Sequence, residues 1–186
     1  MNIEPAGEPT RICLYGPTGS GKTTIARHLV RRYDGELIKI AEPLHRFQQM
    51  FYDMLQKPVT GQDGELLQFL ADKIEREQPG WLGRSATARV HASGRTVVVN
   101  DDCRRNSYAA LDQAGFVFVR VLTSPERIAQ RARPDHTPVN TAHAVEAGFD
   151  TFRADHTITN DGTLAQALVQ AEEIVERLLE RQRVGR

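Results

Sequence analysis

Eight residues, Gly16-Pro-Thr-Gly-Ser-Gly-Lys-Thr23, sit between an apolar run, Arg11 to Tyr15, and a segment in which Ile25, Leu29 and Tyr33 share one helical face. The spacing Gly-x4-Gly-Lys-Thr between a buried strand and a helix has one well-understood use: a loop that wraps a phosphate. Glycines let successive backbone N–H groups curl inward where side chains would collide. The helix that follows turns the positive end of its dipole to the same point. From this chain's own composition, the four fixed positions match by chance in roughly one such sequence in several hundred, and the strand-before, helix-after context narrows that further.

The loop therefore predicts ATP and Mg²⁺ as ligands. Gly16, Thr18, Gly19, Ser20, Gly21 and Thr24 line the phosphates, Lys22 reaches the β- and γ-phosphoryl oxygens, and the Thr23 hydroxyl ligates Mg²⁺. No Asn-Lys-x-Asp guanine motif occurs, which argues against a GTPase switch.

The remaining pattern alternates strand and helix. Strands are expected at 11–15, 36–40, 96–99, 116–122 and 156–159, the last two flanking a loop at Pro134–Pro138. Helices are expected from Lys22, around Leu44–Leu55 and Leu66–Ile74, briefly at Trp81, over Ser107–Ala114 with Gly115 as the stop, after the Ser124-Pro125 cap, and from Leu164 to Leu178. Apolar strands separated by amphipathic helices give an α/β chain with a mainly parallel five-stranded sheet between helical layers. We expect one domain over residues 1–186, with frayed ends at 1–8 and 181–186.

The 24 basic and 24 acidic residues cancel, and no apolar run reaches membrane-spanning length. The expectation is a cytoplasmic protein with neither nucleic-acid nor membrane partners; a homodimer is compatible with the chain. Cys13 and Cys103 have no metal-ligand spacing, and a disulfide is not expected. Six scattered histidines, His136 and His143 among them, likewise make no metal site.

Asp101 and Asp102 follow an apolar strand at the end where open α/β sheets bind ligands. One carboxylate could hold the Mg²⁺ water shell and the other could orient or deprotonate an acceptor oxygen; an apolar strand ending in Asp favours Asp101 for the metal. Arg127 and Arg131, four apart on one helix face, and Arg133 beyond them suit charge neutralisation of a phosphoryl group in transfer. Arg46, Arg76 and Arg104 are candidates for an acceptor's phosphate, and Trp81 either stacks on a base or packs in the core.

Several segments together resemble the nucleoside monophosphate kinases, especially the phage-type deoxynucleoside monophosphate kinases. These are the phosphate loop, Ile40-Ala-Glu-Pro-Leu44, Leu67-Gln68-Phe-Leu70 with the later Arg76 and Trp81, Val97 to Arg104 with its Asp-Cys-Arg ending, and Ala154 to Thr163. The last is shared with dephospho-coenzyme A kinases. The resemblance implies a P-loop kinase three-layer α/β/α fold with a helical acceptor-binding insert at about 41–94 and a lid at about 127–145. It implies transfer of the γ-phosphoryl group of ATP to a nucleotide-type small-molecule acceptor. Asn160, Gly162 and Thr163 would then line the adenine, Arg127 and Arg131 of the lid would close on the phosphoryl group of the bound ATP, and Arg46, Gln68, Arg76, Trp81, Asp102, Arg104 and Arg133 would line the acceptor. The sequence departs from the family at His45 and Arg46 in place of its lysine, at Ala71-Asp72 in place of Gly-Thr, and at Arg105 to Tyr108. All three lie on the acceptor side. Dephospho-coenzyme A or a pathway-specific metabolite is an alternative acceptor, and a nucleotide-binding regulator or ATPase is an alternative class.

Overall fold

A computed structural model describes residues 8–131 and 152–184. The expected lid loop, with Arg133, His136 and His143, lies outside the described residues.

β1 (Thr10–Tyr15) is followed by α1 (Lys22–Arg32) and β2 (Glu36–Leu37); three helices, α2 (Glu42–Met54), α3 (Gly64–Glu77) and α4 (Trp81–Ala92), then lead to β3 (Val97–Asn100). α5 (Arg105–Gln113), β4 (Val117–Leu122), α6 (Pro125–Arg131), β5 (His156–Thr159) and α7 (Leu164–Val184) complete the order. The five strands lie in the order β2-β3-β1-β4-β5, and every pairing is parallel.

A parallel sheet is covered on both faces, which is why its strands read as unbroken apolar runs. Alternation sorts them: Ile12, Leu14, Val97 and Val99 pack toward Ile25, Ala26 and Leu29 of α1 and Ala171 and Val175 of α7. Cys13, Tyr15 and Val98 pack the other way, against Leu82, Ala86 and Val90 of α4 and Leu111 of α5. Tyr15, Tyr108, Phe118 and Phe152 gather there in edge and tilted contacts, with the Tyr108 ring centroid 4.4 Å from those of both Phe118 and Phe152.

The structure differs from the sequence expectation in four places. β2 pairs only over Glu36–Leu37 instead of 36–40, because side chains draw the chain off the sheet: Asn100 Nδ2 donates to the Ile38 carbonyl and Asp102 takes the Ile40 and Ala41 N–H groups. The helix at Trp81 is not brief but runs to Ala92, with Gly80 as its left-handed N-cap. α5 occupies Arg105–Gln113, two residues earlier than expected at its start. α7 continues to Val184 rather than fraying from Arg181, and Thr10 Oγ1 donates to Gln182 Oε1 at 3.1 Å. Gly115 at φ 72° does stop α5, and Ser124 Oγ accepts from the Arg127 N–H at the start of α6.

α2 buries Leu44 and Gln48 but leaves Phe47, Met50, Phe51, Met54 and Leu55 exposed at helical spacing. A homodimer would have such a stripe to cover. Among the described residues, no helix is long and apolar enough to cross a membrane.

Candidate nucleotide-binding site

Four strand ends converge at the carboxyl edge of the sheet. β1 opens into the phosphate loop, β3 into Asp101, β4 into Thr123 and β5 into Asn160. The order reverses around β1, so the loop sits at the switch point where ligands of open α/β sheets bind.

The loop's glycines are required where they stand. Gly16, Gly19 and Gly21 have φ of 143°, 83° and 95°. A Cβ on Gly16 would lie 2.5 Å from the Val121 carbonyl oxygen, and one on Gly21 would lie 2.5 Å from Asn160 Nδ2. Asn160 is 2% exposed and donates from Nδ2 to the Ser20 carbonyl at 2.7 Å, while Thr123 Oγ1 donates to the same oxygen at 3.2 Å. β4 and β5 thus clamp the loop from one side, and bulk at Gly21 would break the clamp. Lys22 Nζ arches back to donate to the Gly16 and Pro17 carbonyls at 2.8 and 2.7 Å. Among the described residues Ser20 Oγ is buried without a hydrogen-bond partner; Thr23 is half-buried, and Thr18 and Thr24 are exposed.

The two aspartates have different surroundings. Both Asp101 oxygens are buried and accept no hydrogen bond among the described residues, and Lys39 Nζ stands 3.3 Å from Oδ1. An unsatisfied buried acceptor costs about 1–3 kcal/mol and more when charged, so a carboxylate in this state at a strand end fits a site completed by a cation. Asp102 is fully engaged. Its Oδ1 accepts from Ile40 N at 2.8 Å and Asn100 Nδ2 at 2.7 Å, and its Oδ2 accepts from Ala41 N at 2.9 Å. These three accepted bonds give Asp102 a structural task beside the role the sequence allowed. It fastens the β2–α2 connection to the end of β3. Asp102→Ala is expected to lose about 3 kcal/mol of stability by orphaning three donors, read as a lower urea midpoint; an unchanged midpoint would remove this role.

The arginines of α6 each donate to a backbone carbonyl. Arg127 Nε donates to the Asp161 carbonyl at 2.6 Å, with Nη2 near the Gly162 carbonyl at 3.5 Å. Arg131 Nη2 donates to the Asn160 carbonyl at 3.0 Å. Both guanidinium groups are held by the β5–α7 connection, and a role at the phosphates requires that they leave it. Ile128 of the same helix lies against Gly19, where a Cβ would approach its Cγ2 to 3.0 Å. Thr163 and Gln166 cap α7 reciprocally: Thr163 N donates to Gln166 Oε1 at 2.9 Å and Gln166 N to Thr163 Oγ1 at 3.3 Å. That gives Thr163 a structural task, beside the exposed Gly162.

The acceptor-side candidates are not brought into one cluster by any hydrogen bond or ion pair among the described residues. Arg46 pairs with Glu42, which also holds Arg89. The two arginines line a groove of about 330 Å³ along the β2 edge with Glu36, Glu42 and Arg95. Gln68 donates to Asp72 on an exposed helix face. Arg76 and Arg104 are exposed. Trp81 is half-buried against the α4 side of the core, so it packs there.

Burial pushes the Cys13 thiol well above its usual range, with Cys103 beside it adding to the effect. Both thiols are buried and outside any disulfide, and the raised Cys13 thiol stays in the protonated form that is a poor nucleophile. Burial also raises the Tyr15 phenol, with Arg120 opposing it.

Sequence reasoning missed Lys39. The signal available was its rarity, one of four lysines in the chain, and its place at the end of the second strand.

The family model described as "ATPase family associated with various cellular activities (AAA)" matches residues 12–81, the stretch from β1 through α3. No curated protein matches the chain by sequence. Solved structures match over nearly its whole length. A shikimate kinase from Acinetobacter baumannii in complex with shikimate is 18% identical, covering 93% of this chain and 94% of its own, with a TM-score of 0.53. A gluconokinase from Sinorhizobium meliloti 1021 is 19% identical, covering 94% and 98%, at 0.52. The Mycobacterium tuberculosis APS kinase, in complex with AMPPNP and APS, is 16% identical, covering 91% and 98%, at 0.54. The chain has the P-loop kinase α/β/α fold.

Proposed function

We propose that this protein is an ATP-dependent kinase that moves the γ-phosphoryl group to a small-molecule acceptor, with a nucleoside or deoxynucleoside monophosphate as the first candidate. The observation that carries the reading is the buried Asp101 carboxylate, its oxygens accepting no hydrogen bond among the described residues, one strand away from a complete phosphate loop. A loop that grips a nucleotide without a metal has no use for such a group. A site that organises a divalent cation during phosphoryl transfer does.

In this reading the loop amides and Lys22 hold the donor's phosphates. Thr23 and Asp101 would hold Mg²⁺, which when bound neutralises charge on the β- and γ-phosphoryl oxygens. Asn160 keeps the loop in shape, and α6 covers it through Ile128. Arg127 lies on the Asp161–Gly162 connection, alongside the expected adenine pocket. Arg131 could join the phosphates only on release from Asn160. The acceptor would enter beside the α2–α3 insert, where Arg46, Gln68, Arg76, Arg104 and Trp81 stand as candidates.

A second reading, an ATPase without an acceptor, is favoured by the AAA match alone. One assay separates the two. ADP release from Mg·ATP is followed with a panel of ribo- and deoxynucleoside monophosphates, dephospho-coenzyme A, shikimate, gluconate and APS. The kinase reading expects at least one acceptor to raise the rate tenfold or more above the acceptor-free rate. A rate that ignores every acceptor supports the ATPase.

A further inference from the structure

Lys39 follows the paired part of β2 and is fixed through its backbone. Its carbonyl accepts from Arg89 Nη2 at 2.7 Å, and the neighbouring Ile38 and Ile40 N–H groups donate to Val99 O and Asp102 Oδ1 at 2.9 and 2.8 Å. Its side chain is not so fixed. The ammonium reaches Asp101 Oδ1 at 3.3 Å, with 35% of the lysine side chain exposed and none of the aspartate side chain. Among the described residues, Lys39 is the one cation within 4.0 Å of that carboxylate. The asymmetry gives direction to the pair. The carboxylate cannot turn to water, whereas the ammonium, on a flexible four-carbon stem, can swing away at little cost.

From this geometry we infer that Lys39 is a counter-ion standing in for the divalent cation. It compensates Asp101 in the nucleotide-free protein and yields it when the metal arrives with the nucleotide. The inference rests on the assignment of Asp101 to the metal. It makes Lys39 a positioning residue, which keeps a buried carboxylate compensated and aimed while the site waits. It also makes metal binding without nucleotide weak, because the ion must first displace an ammonium.

The test measures Mn²⁺ binding to the nucleotide-free protein by electron paramagnetic resonance. Lys39→Met, which removes the competitor, is expected to bind Mn²⁺ at least about fivefold more tightly than the wild type. Lys39→Arg, which keeps the charge, should stay near the wild-type value. Equal, weaker or undetectable binding by Lys39→Met overturns the inference. Should Lys39→Met fail to fold, the wild type carries the test. Acetylation of Lys39 by acetic anhydride, read by mass spectrometry, should rise severalfold on adding Mn²⁺ while that of Lys57 and Lys73 does not; no rise overturns the inference. Asp101→Asn separates the two levels of the argument. If it retains wild-type affinity for Mn·ADP, the assignment of the metal to Asp101 has failed, and Lys39 falls with it. If it loses that affinity while Lys39→Met gains nothing, only the role of Lys39 has failed.

Discussion

Lys22→Ala is expected to lower acceptor-dependent turnover by about 10²- to 10³-fold, the usual effect of removing one preorganised donor from a developing charge. Lys22 is the first residue of α1, where alanine is a better helix former. Its ammonium donates to the Gly16 and Pro17 carbonyls of its own loop at 2.8 and 2.7 Å. Gly16 is buried and Pro17 half-buried, so leaving their carbonyls without this donor should cost about 1–3 kcal/mol, a loss that a urea melt separates from the chemical one. The drop should fall mainly in kcat, because the lysine's contact strengthens as charge builds on the transferred group. Steady-state kinetics with the acceptor saturating, together with a urea melt, makes the check. Turnover within threefold of wild type in a folded variant would remove Lys22 from the machinery.

Asp101→Asn should cost a similar factor, about 10²-fold or more, through a different route. The amide cannot bring negative charge to a divalent cation, so the Mg²⁺ dependence of turnover should shift to higher concentration as the rate falls. Stability should move the other way or not at all. Wild-type Asp101 is buried with two oxygens that accept no hydrogen bond among the described residues, and Lys39, 35% exposed, can relax toward solvent once its partner is neutral. Replacing a desolvated charge by its neutral isostere is then neutral or stabilising. An ordinary structural aspartate behaves oppositely, as Asp102 should with its three donors. A variant that keeps its rate but loses several kcal/mol would make Asp101 a structural residue.

The contrast between neighbouring residues explains what the sequence could and could not tell. The phosphate loop is legible because its chemistry is local: glycines at positive φ, a lysine and a threonine at a helix start, all within eight residues. The sheet is legible because burial on both faces writes itself as continuous apolar runs such as Val97–Val99. Asp101 and Asp102 look alike in sequence because their difference is not local. Asp102 is captured by the backbone of residues 40 and 41, on another strand's connection, and Asp101 is met by Lys39 from the same segment. Periodicity carries no trace of such pairings.

The same holds on the other side of the site. The spacing of Arg127 and Arg131 shows that they share a helix face, but the carbonyls of Asn160 and Asp161 that hold them come from the β5–α7 connection. Trp81 reads equally as a stacking or a packing residue until its neighbours Leu82, Ala86 and the α3 apolar face are in place. The brevity of β2 is likewise a tertiary outcome. Ile38 and Ile40 have strand chemistry, but beyond the Ile38 N–H, which still donates to Val99 O, the side chains of Asn100 and Asp102 take the Ile38 carbonyl and the Ile40 N–H. The acceptor side stayed least legible for a related reason. Phosphate-binding arginines have no fixed spacing, and in this chain Arg46 and Gln68 are held by Glu42 and Asp72 of their own helices.

The most direct test of the account follows the phosphoryl group itself. ATP labelled with ³²P at the γ position is incubated with Mg²⁺ and the acceptor panel, and the products are separated. The account predicts label on an acceptor, with Lys22→Ala and Asp101→Asn each slowing the transfer by about 10²-fold or more. Label appearing only in inorganic phosphate, at a rate independent of every acceptor, would contradict it.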